Sequence, residues 1–146
     1  MRITARPSLD PTDYAFAHHV RARFAETDAM GIVHHASYLP WLEESRVAYL
    51  RHLGHPYTEV RAAGHDLAVI EAHVRYRRSV AFDDEVAIHL RLCEPGASTF
   101  QIAYLLVRDA DAVATAVTAH ACLEAATARP VRLPEWLRQT AGARSA

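Results

Sequence analysis

The sequence predicts an α+β domain in which an antiparallel sheet of about five strands wraps around one long central helix. Three observations predict it. Alternating apolar positions mark one strand near the start of the chain and four more after Gly64. A single segment, Tyr38 to Leu53, carries helical spacing over a wide apolar arc. The connections between the last strands are short, which favours hairpins over crossovers. With one long helix available to cover the sheet, wrapping the sheet around that helix is the economical packing.

Residues Met1 to Tyr14 hold Pro7 and Pro11 among mixed polar residues and read as a loose arm. Periodicity begins at Ala17, where Val20, Ala22 and Phe24 alternate with His19, Arg21 and Arg23 as in a half-buried strand. A loop containing Gly31 follows. The helix is expected over Tyr38–Leu53, with Ser37 as N-cap, Pro40 tolerated in the first turn and Gly54 as the C′ stop. At 100° per residue, Tyr38, Trp41, Leu42, Ser45, Ala48, Tyr49 and Leu53 share one face, and Glu43, Glu44 and Arg51 lie opposite.

Pro56 to Ala63 reads as a short helical turn closed by Gly64. In the next strand the even positions Ala68, Ile70, Ala72, Val74 and Tyr76 are apolar, and Glu71, His73, Arg75 and Arg77 alternate with them. Val86, Ile88, Leu90 and Leu92 make a third strand, and Pro95-Gly96 turns the chain. Phe100 to Leu106 and Val113 to Leu123 supply the fourth and fifth, joined by the turn Asp109–Asp111. A last helical turn is expected over Pro134–Gln139, before a disordered tail.

The 146 residues fit one domain, 1–146, with its periodic core at about 17–137. A formal net charge of -1 argues against a nucleic-acid partner. All the basic residues are Arg, the better fork for phosphate. Cys93 and Cys122 sit far apart in apolar segments and read as buried free thiols, with no disulfide or metal pair. The start, Met1 to Asp10, has no apolar stretch of the kind a signal peptide needs. The longest stretch without a charge, Ala29–Leu42, is too short to span a bilayer. A soluble, cytoplasmic protein is expected.

The chemistry concentrates in Glu26-Thr27-Asp28-Ala29-Met30-Gly31-Ile32-Val33-His34-His35-Ala36-Ser37-Tyr38. A carboxylate follows a strand, and then come a glycine, two histidines and the start of a helix. The first-turn amides of a helix lack intrahelical acceptors and carry the positive end of its dipole. Such a place stabilises a developing oxyanion, and it favours a negative carboxylate within reach as nucleophile or general base. From the residues alone the plainer readings stand beside this one. Asp28 suits a turn or capping carboxylate, Gly31 a mere turn, and His35 loop or core packing. His34 and His35 are adjacent, with no Cys or carboxylate at metal spacing, so no metal site is expected.

That run, followed by Trp41-Leu42-Glu43 and Arg46, resembles the signature of the 4-hydroxybenzoyl-CoA thioesterase-like family, and most nearly its Tol–Pal-associated acyl-CoA thioesterase branch. The likeness continues weakly through Tyr76-Arg77-Arg78, Phe82-Asp83-Asp84 and Arg129-Pro130-Val131. It implies a hotdog fold, a homodimer or homotetramer with sites between subunits, and hydrolysis of an acyl-CoA without any cofactor, CoA being part of the substrate. Asp28 falls on the family's catalytic carboxylate. The His35 N–H falls on its carbonyl-polarising amide, and the His35 imidazole would orient water or substrate. Gly31, His34 and Tyr38 would border the substrate, and Arg77, Arg78 and Arg132 are candidates for the CoA phosphates. Met30 and His34 depart from the family's usual residues, which bears on the acyl group accepted.

Two further readings share the fold: a dehydratase or hydratase of acyl thioesters centred on His35, and a non-catalytic acyl-CoA-binding module. Other hotdog thioesterases use a helix glutamate. Here Glu43 or Glu44 could serve, but both are expected to point away from the apolar face, with Glu43 paired to Arg46.

Overall fold

A computed structural model describes residues 2–143. Five antiparallel strands form one sheet in the order β1-β3-β4-β5-β2. They are β1 (Phe16–Arg21), β2 (His65–Tyr76), β3 (Glu85–Cys93), β4 (Thr99–Arg108) and β5 (Asp111–Glu124), with α1 (Tyr38–His52) and α2 (Tyr57–Ala62) between the first two and α3 (Glu135–Gly142) at the end. The two short hairpins leave β3, β4 and β5 as consecutive neighbours, and β2 closes the far edge against β5.

Alternation along the strands builds the core. Ile88 and Leu90 of β3 and Phe100, Ile102, Tyr104 and Leu106 of β4 face α1, which answers with Tyr38, Trp41, Leu42, Tyr49 and Leu50. Each large apolar side chain removed from water there contributes about 1.5–3 kcal/mol. The helix stops as its sequence suggests: Gly54 has φ +85°, the His55 N–H reaches the Leu50 carbonyl at 2.9 Å, and the Gly54 N–H reaches that of Arg51 at 3.0 Å. That pair of bonds is the Schellman closure.

Several expectations change. β1 ends at Arg21, and Phe24 lies in a short 3-10 turn, 76 % exposed, edge-on to Phe82. Ser37 does not cap α1: its hydroxyl donates to the Glu26 carbonyl, and a 3-10 turn over His35–Ser37 precedes the helix. In β2 the register shifts between Val69 and Glu71. The extra residue moves Leu67 into the core and leaves Ile70 47 % exposed, because each slip of one residue swaps the faces. Arg46, on the helix face that should be apolar, is buried.

The N-terminal arm is docked rather than loose. Thr4 and Ala5 donate their N–H groups to the buried Gln101 side chain at 3.1 and 2.9 Å. Ala5 and Tyr14 pack with Cys93, Ala103, Leu105 and Val117 in a second small core on the outer face of the sheet. β4 is therefore buried on both faces. Cys93 and Cys122 are buried free thiols, and burial pushes the Cys93 thiol up to about 11. The last turn extends past Gln139 to form α3, whose Leu137 and Ala141 reach the core. The tail at 144–146 lies outside the described residues.

Candidate active site

The loop before α1 is organised by Glu26, a buried carboxylate. Its Oε1 accepts the Arg23 N–H at 2.8 Å, and its Oε2 accepts the indole N–H of Trp41 at 2.7 Å. Its main-chain carbonyl accepts from the His34 N–H at 2.8 Å and from the Ser37 hydroxyl at 3.2 Å. Burial opposes its charge, but the hydrogen bonds from Arg23 and Trp41 and the Arg23 guanidinium outweigh burial and hold its pKa below the usual carboxylate value. Side chain and carbonyl of Glu26 together thus tie the strand end, the loop before α1 and the first turn of the helix.

Glu26→Ala should cost about 2–4 kcal/mol of stability, since the buried Trp41 indole N–H loses its acceptor at roughly 1–3 kcal/mol and the part-buried Arg23 N–H at the low end of that range. Denaturant unfolding would show it as a lower midpoint at unchanged slope. Glu26→Gln, which keeps an acceptor, should recover part of the loss.

Asp28 sits where the chain doubles back. Its N–H donates to the Ile32 carbonyl at 2.8 Å, and its carbonyl accepts the Gly31 N–H at 3.0 Å. Gly31 has φ +77°, the left-handed conformation such a turn needs. Asp28 Oδ1 accepts the Met30 N–H at 2.8 Å. The plain turn role is therefore real, and Asp28 also lines a cavity. The loop is pinned from the other side by bridges from Thr27 to Val33 and from Ile32 to Ala81, and by the Val33 N–H on the Val80 carbonyl at 2.7 Å.

That cavity, of about 300 Å³, brings Asp28, His35, Tyr38, Arg77 and Arg78 together. Met30, Ile32 and Val33 supply an apolar wall, and Tyr76 and Ser79 complete the lining. At the mouth of α1 the Ala36 N–H is taken by His34 Nδ1 at 3.0 Å, and the Ser37 N–H by the His34 carbonyl at 2.9 Å. The His35 N–H, at the start of the 3-10 turn, has no acceptor among the described residues, and His35 lines the cavity. The His35 carbonyl is held by the Tyr76 hydroxyl at 2.9 Å, and the Tyr76 ring stands edge-on to Tyr38 at 5.0 Å. Burial raises the pKa of Tyr38, which keeps its proton, and its hydroxyl has no partner among the described residues. Tyr38 lines the cavity.

Gly31, His34 and Arg132 line no part of this cavity. Gly31 shapes the turn, and His34 caps the 3-10 turn while stacking on His35 at 4.1 Å. Glu44 is exposed and 3.3 Å from His18. Glu43 is 68 % exposed and 3.5 Å from Arg46, as expected, yet it also stands at the rim of a separate cavity of about 290 Å³ with Leu39, Leu42, Tyr104 and His120. That cavity contains neither Asp28 nor the His35 amide. Glu26 and Tyr76 were missed by the sequence reading. The buried Trp41, whose indole N–H must find an acceptor, was the available signal for Glu26.

A sheet wrapped on one long helix, with Asp28 and His35 lining one cavity beside the mouth of that helix, is the architecture of a hotdog protein. Residues 22–140 match the thioesterase-like superfamily, and the chain belongs to it; it is a thioester hydrolase. It is similar to a Synechococcus elongatus protein named 1,4-dihydroxy-2-naphthoyl-CoA hydrolase, 34 % identical over 138 residues that cover 88 % of this chain and 98 % of the relative. An acyl-CoA thioesterase of Haemophilus influenzae, YbgC, is 27 % identical over 124 residues, 84 % of this chain and 91 % of the relative. Among solved structures, a hypothetical protein from Aquifex aeolicus superposes with a TM-score of 0.81 at 33 % identity, covering 86 % of this chain and 98 % of that one.

Proposed function

We propose that the protein hydrolyses an acyl-CoA thioester to the free acid and CoA, with Asp28 as the reacting carboxylate. The observation that carries this is the shared cavity: Asp28, His35 and Tyr38 line it together, and the His35 N–H has no acceptor among the described residues. A thioester carbonyl placed there would direct its oxygen at the His35 N–H, which stabilises the charge that develops on it. Asp28 then either attacks the carbonyl carbon, giving a mixed anhydride that water cleaves, or takes a proton from the attacking water. In both routes the carbon–sulfur bond breaks and the thiolate of CoA leaves, to be protonated by solvent.

The two routes differ in where water oxygen goes. In a single turnover in heavy-oxygen water, a general base puts the label directly into the product acid, whereas label in the Asp28 carboxylate marks the nucleophilic route, with water opening the anhydride at the Asp28 carbonyl carbon. Arg77 and Arg78, at the cavity wall, support a role for these residues in holding the CoA phosphates nearest the thioester. The motif from Thr27 to Tyr38 supports placement in the Tol–Pal-associated branch, and the relatives' names support an acyl-CoA substrate. The exposed edge β2 suits pairing with a second copy, as the proposed dimer or tetramer requires.

A free-thiol assay over short, long and aromatic acyl-CoAs tests the reading. Release from at least one class is expected. Tight binding with no thiol released from any would overturn it in favour of a binding module.

A further inference from the structure

Arg77 lines three cavities in succession. The first is the Asp28 cavity. The second, of about 570 Å³, holds Arg75, Arg77 and Arg78 with one carboxylate, Asp111. The third, of about 350 Å³, opens beneath the docked N-terminal arm against the outer faces of β2 and β5. Arg6 from the arm and His73, Arg75 and Arg77 from the sheet side line it, and no carboxylate does. Ile3, Pro7 and Leu9 give it an apolar side.

The charge in this track is uncompensated. Arg21, Arg23, Arg46, Arg61 and Arg108 each pair with a carboxylate. Arg6, Arg75, Arg77 and Arg78 pair with none among the described residues, and none of their guanidinium groups donates a hydrogen bond there. Arg75, near the end of β2, and Arg77, just past it, are two residues apart, roughly 7 Å along extended chain, and both line the third cavity. Like charges gathered in one concavity raise the local anion concentration and are relieved when an anion binds.

We infer that the cavity beneath the N-terminal arm binds the nucleotide end of CoA, with Arg6 closing on its phosphates from the arm. This rests on the acyl-CoA reading above. A CoA thioester carries a diphosphate and a 3′-phosphate at the end remote from the sulfur, beside a flat adenine ring. Guanidinium forks match the phosphates, and the Ile3, Pro7 and Leu9 side offers the ring an apolar wall. Arg77, shared by all three cavities, joins that end to the thioester end by a continuous cationic path.

Titration calorimetry of the whole protein with adenosine 3′,5′-bisphosphate tests the site without turnover. Saturable binding is expected, weakened about tenfold by Arg6→Ala and by Arg75→Ala, the scale of one lost charge-assisted contact. Arg51→Ala, which removes an equal charge from the exposed face of α1, should leave it unchanged. Inorganic phosphate binding as tightly as the bisphosphate would overturn the nucleotide assignment, as would affinity indifferent to Arg6 and Arg75.

Kinetics supply the second arm. Arg6→Ala should raise KM about tenfold for the acyl-CoA but not for the same acyl group on pantetheine, and the difference should shrink with salt. Bisphosphate binding that depends on Arg6 in a protein that cleaves no acyl-CoA would sink the activity and leave the site. Acyl-CoA turnover whose KM ignores Arg6 and Arg75 would sink the site and leave the activity.

Discussion

Asp28→Asn is expected to lower kcat about 10²–10⁴-fold, the usual worth of a positioned acid–base group, with little change in KM or melting temperature. The asparagine is the informative variant because Asp28 has two roles in the structure. Its Oδ1 accepts the Met30 N–H at 2.8 Å, and an amide oxygen can keep that bond. The turn that presents residue 28 to the cavity therefore survives, and only the anion is lost. Asp28→Ala removes the acceptor as well and should cost about 1 kcal/mol of stability besides. Asparagine retaining full turnover over the acyl-CoA panel would remove Asp28 from the mechanism. His35→Ala gives the contrast. On the proposed mechanism the polarising group is its main-chain N–H, which alanine keeps, so a smaller loss is expected. A loss as large as that of Asp28→Asn, on enoyl or hydroxyacyl thioesters, would point to hydration chemistry instead.

The strands and the helix were legible because their apolar periods are long and the faces they bury are continuous. The loop around Asp28 was legible for a different reason: a carboxylate, a glycine and a helix start within a dozen residues are a local arrangement, and helix-mouth amides lack intrahelical acceptors whatever follows. What stayed hidden is held by distant partners. The arm reads as loose because its few apolar residues show no period, and its anchor, Gln101, lies nearly a hundred residues on, inside β4. Glu26 looks like a surface charge until Trp41 closes over it at 2.7 Å. The bulge at Ile70 leaves no composition signal, since the alternation through Ala68, Ile70 and Ala72 is unbroken in the sequence while the pairing with β5 skips a residue.

Arg46 is the sharpest case of a rule overridden, and it sets up a pH dependence of stability. Buried under the sheet, it donates from Nη1 to the Leu67 carbonyl at 2.9 Å and lies 3.4 Å from His120 Nδ1. A guanidinium can only donate, so Nδ1 must present its lone pair and the proton sits on Nε2, which donates to the Thr118 hydroxyl at 2.7 Å. Thr118 in turn meets the Tyr104 hydroxyl at 3.1 Å, and Phe100 stacks on the imidazole at 4.8 Å. Protonating Nδ1 would set a second cation against Arg46, with only the exposed Glu43 carboxylate nearby to offset it. Burial first, and then the Arg46 charge, bring the pKa of His120 down from 6.5 to about 3.

Because the folded pKa lies below the unfolded one, the contribution of His120 is complete above about pH 6.5 and is lost as pH falls towards 3, where the unfolded chain takes up a proton that the fold refuses. The slope is about 1.4 kcal/mol per pH unit, so roughly 2 kcal/mol should disappear between pH 7 and pH 5. His89, whose pKa burial also lowers, acts in the same direction but is common to wild type and variant. Urea unfolding from pH 7 to pH 4 on wild type and His120→Gln isolates the effect: the variant should start less stable and lose less on acidification, so the two curves converge. Parallel curves would mean that the imidazole is free to charge in the folded protein, and that the chain from Arg46 to Tyr104 does not hold it in one tautomer.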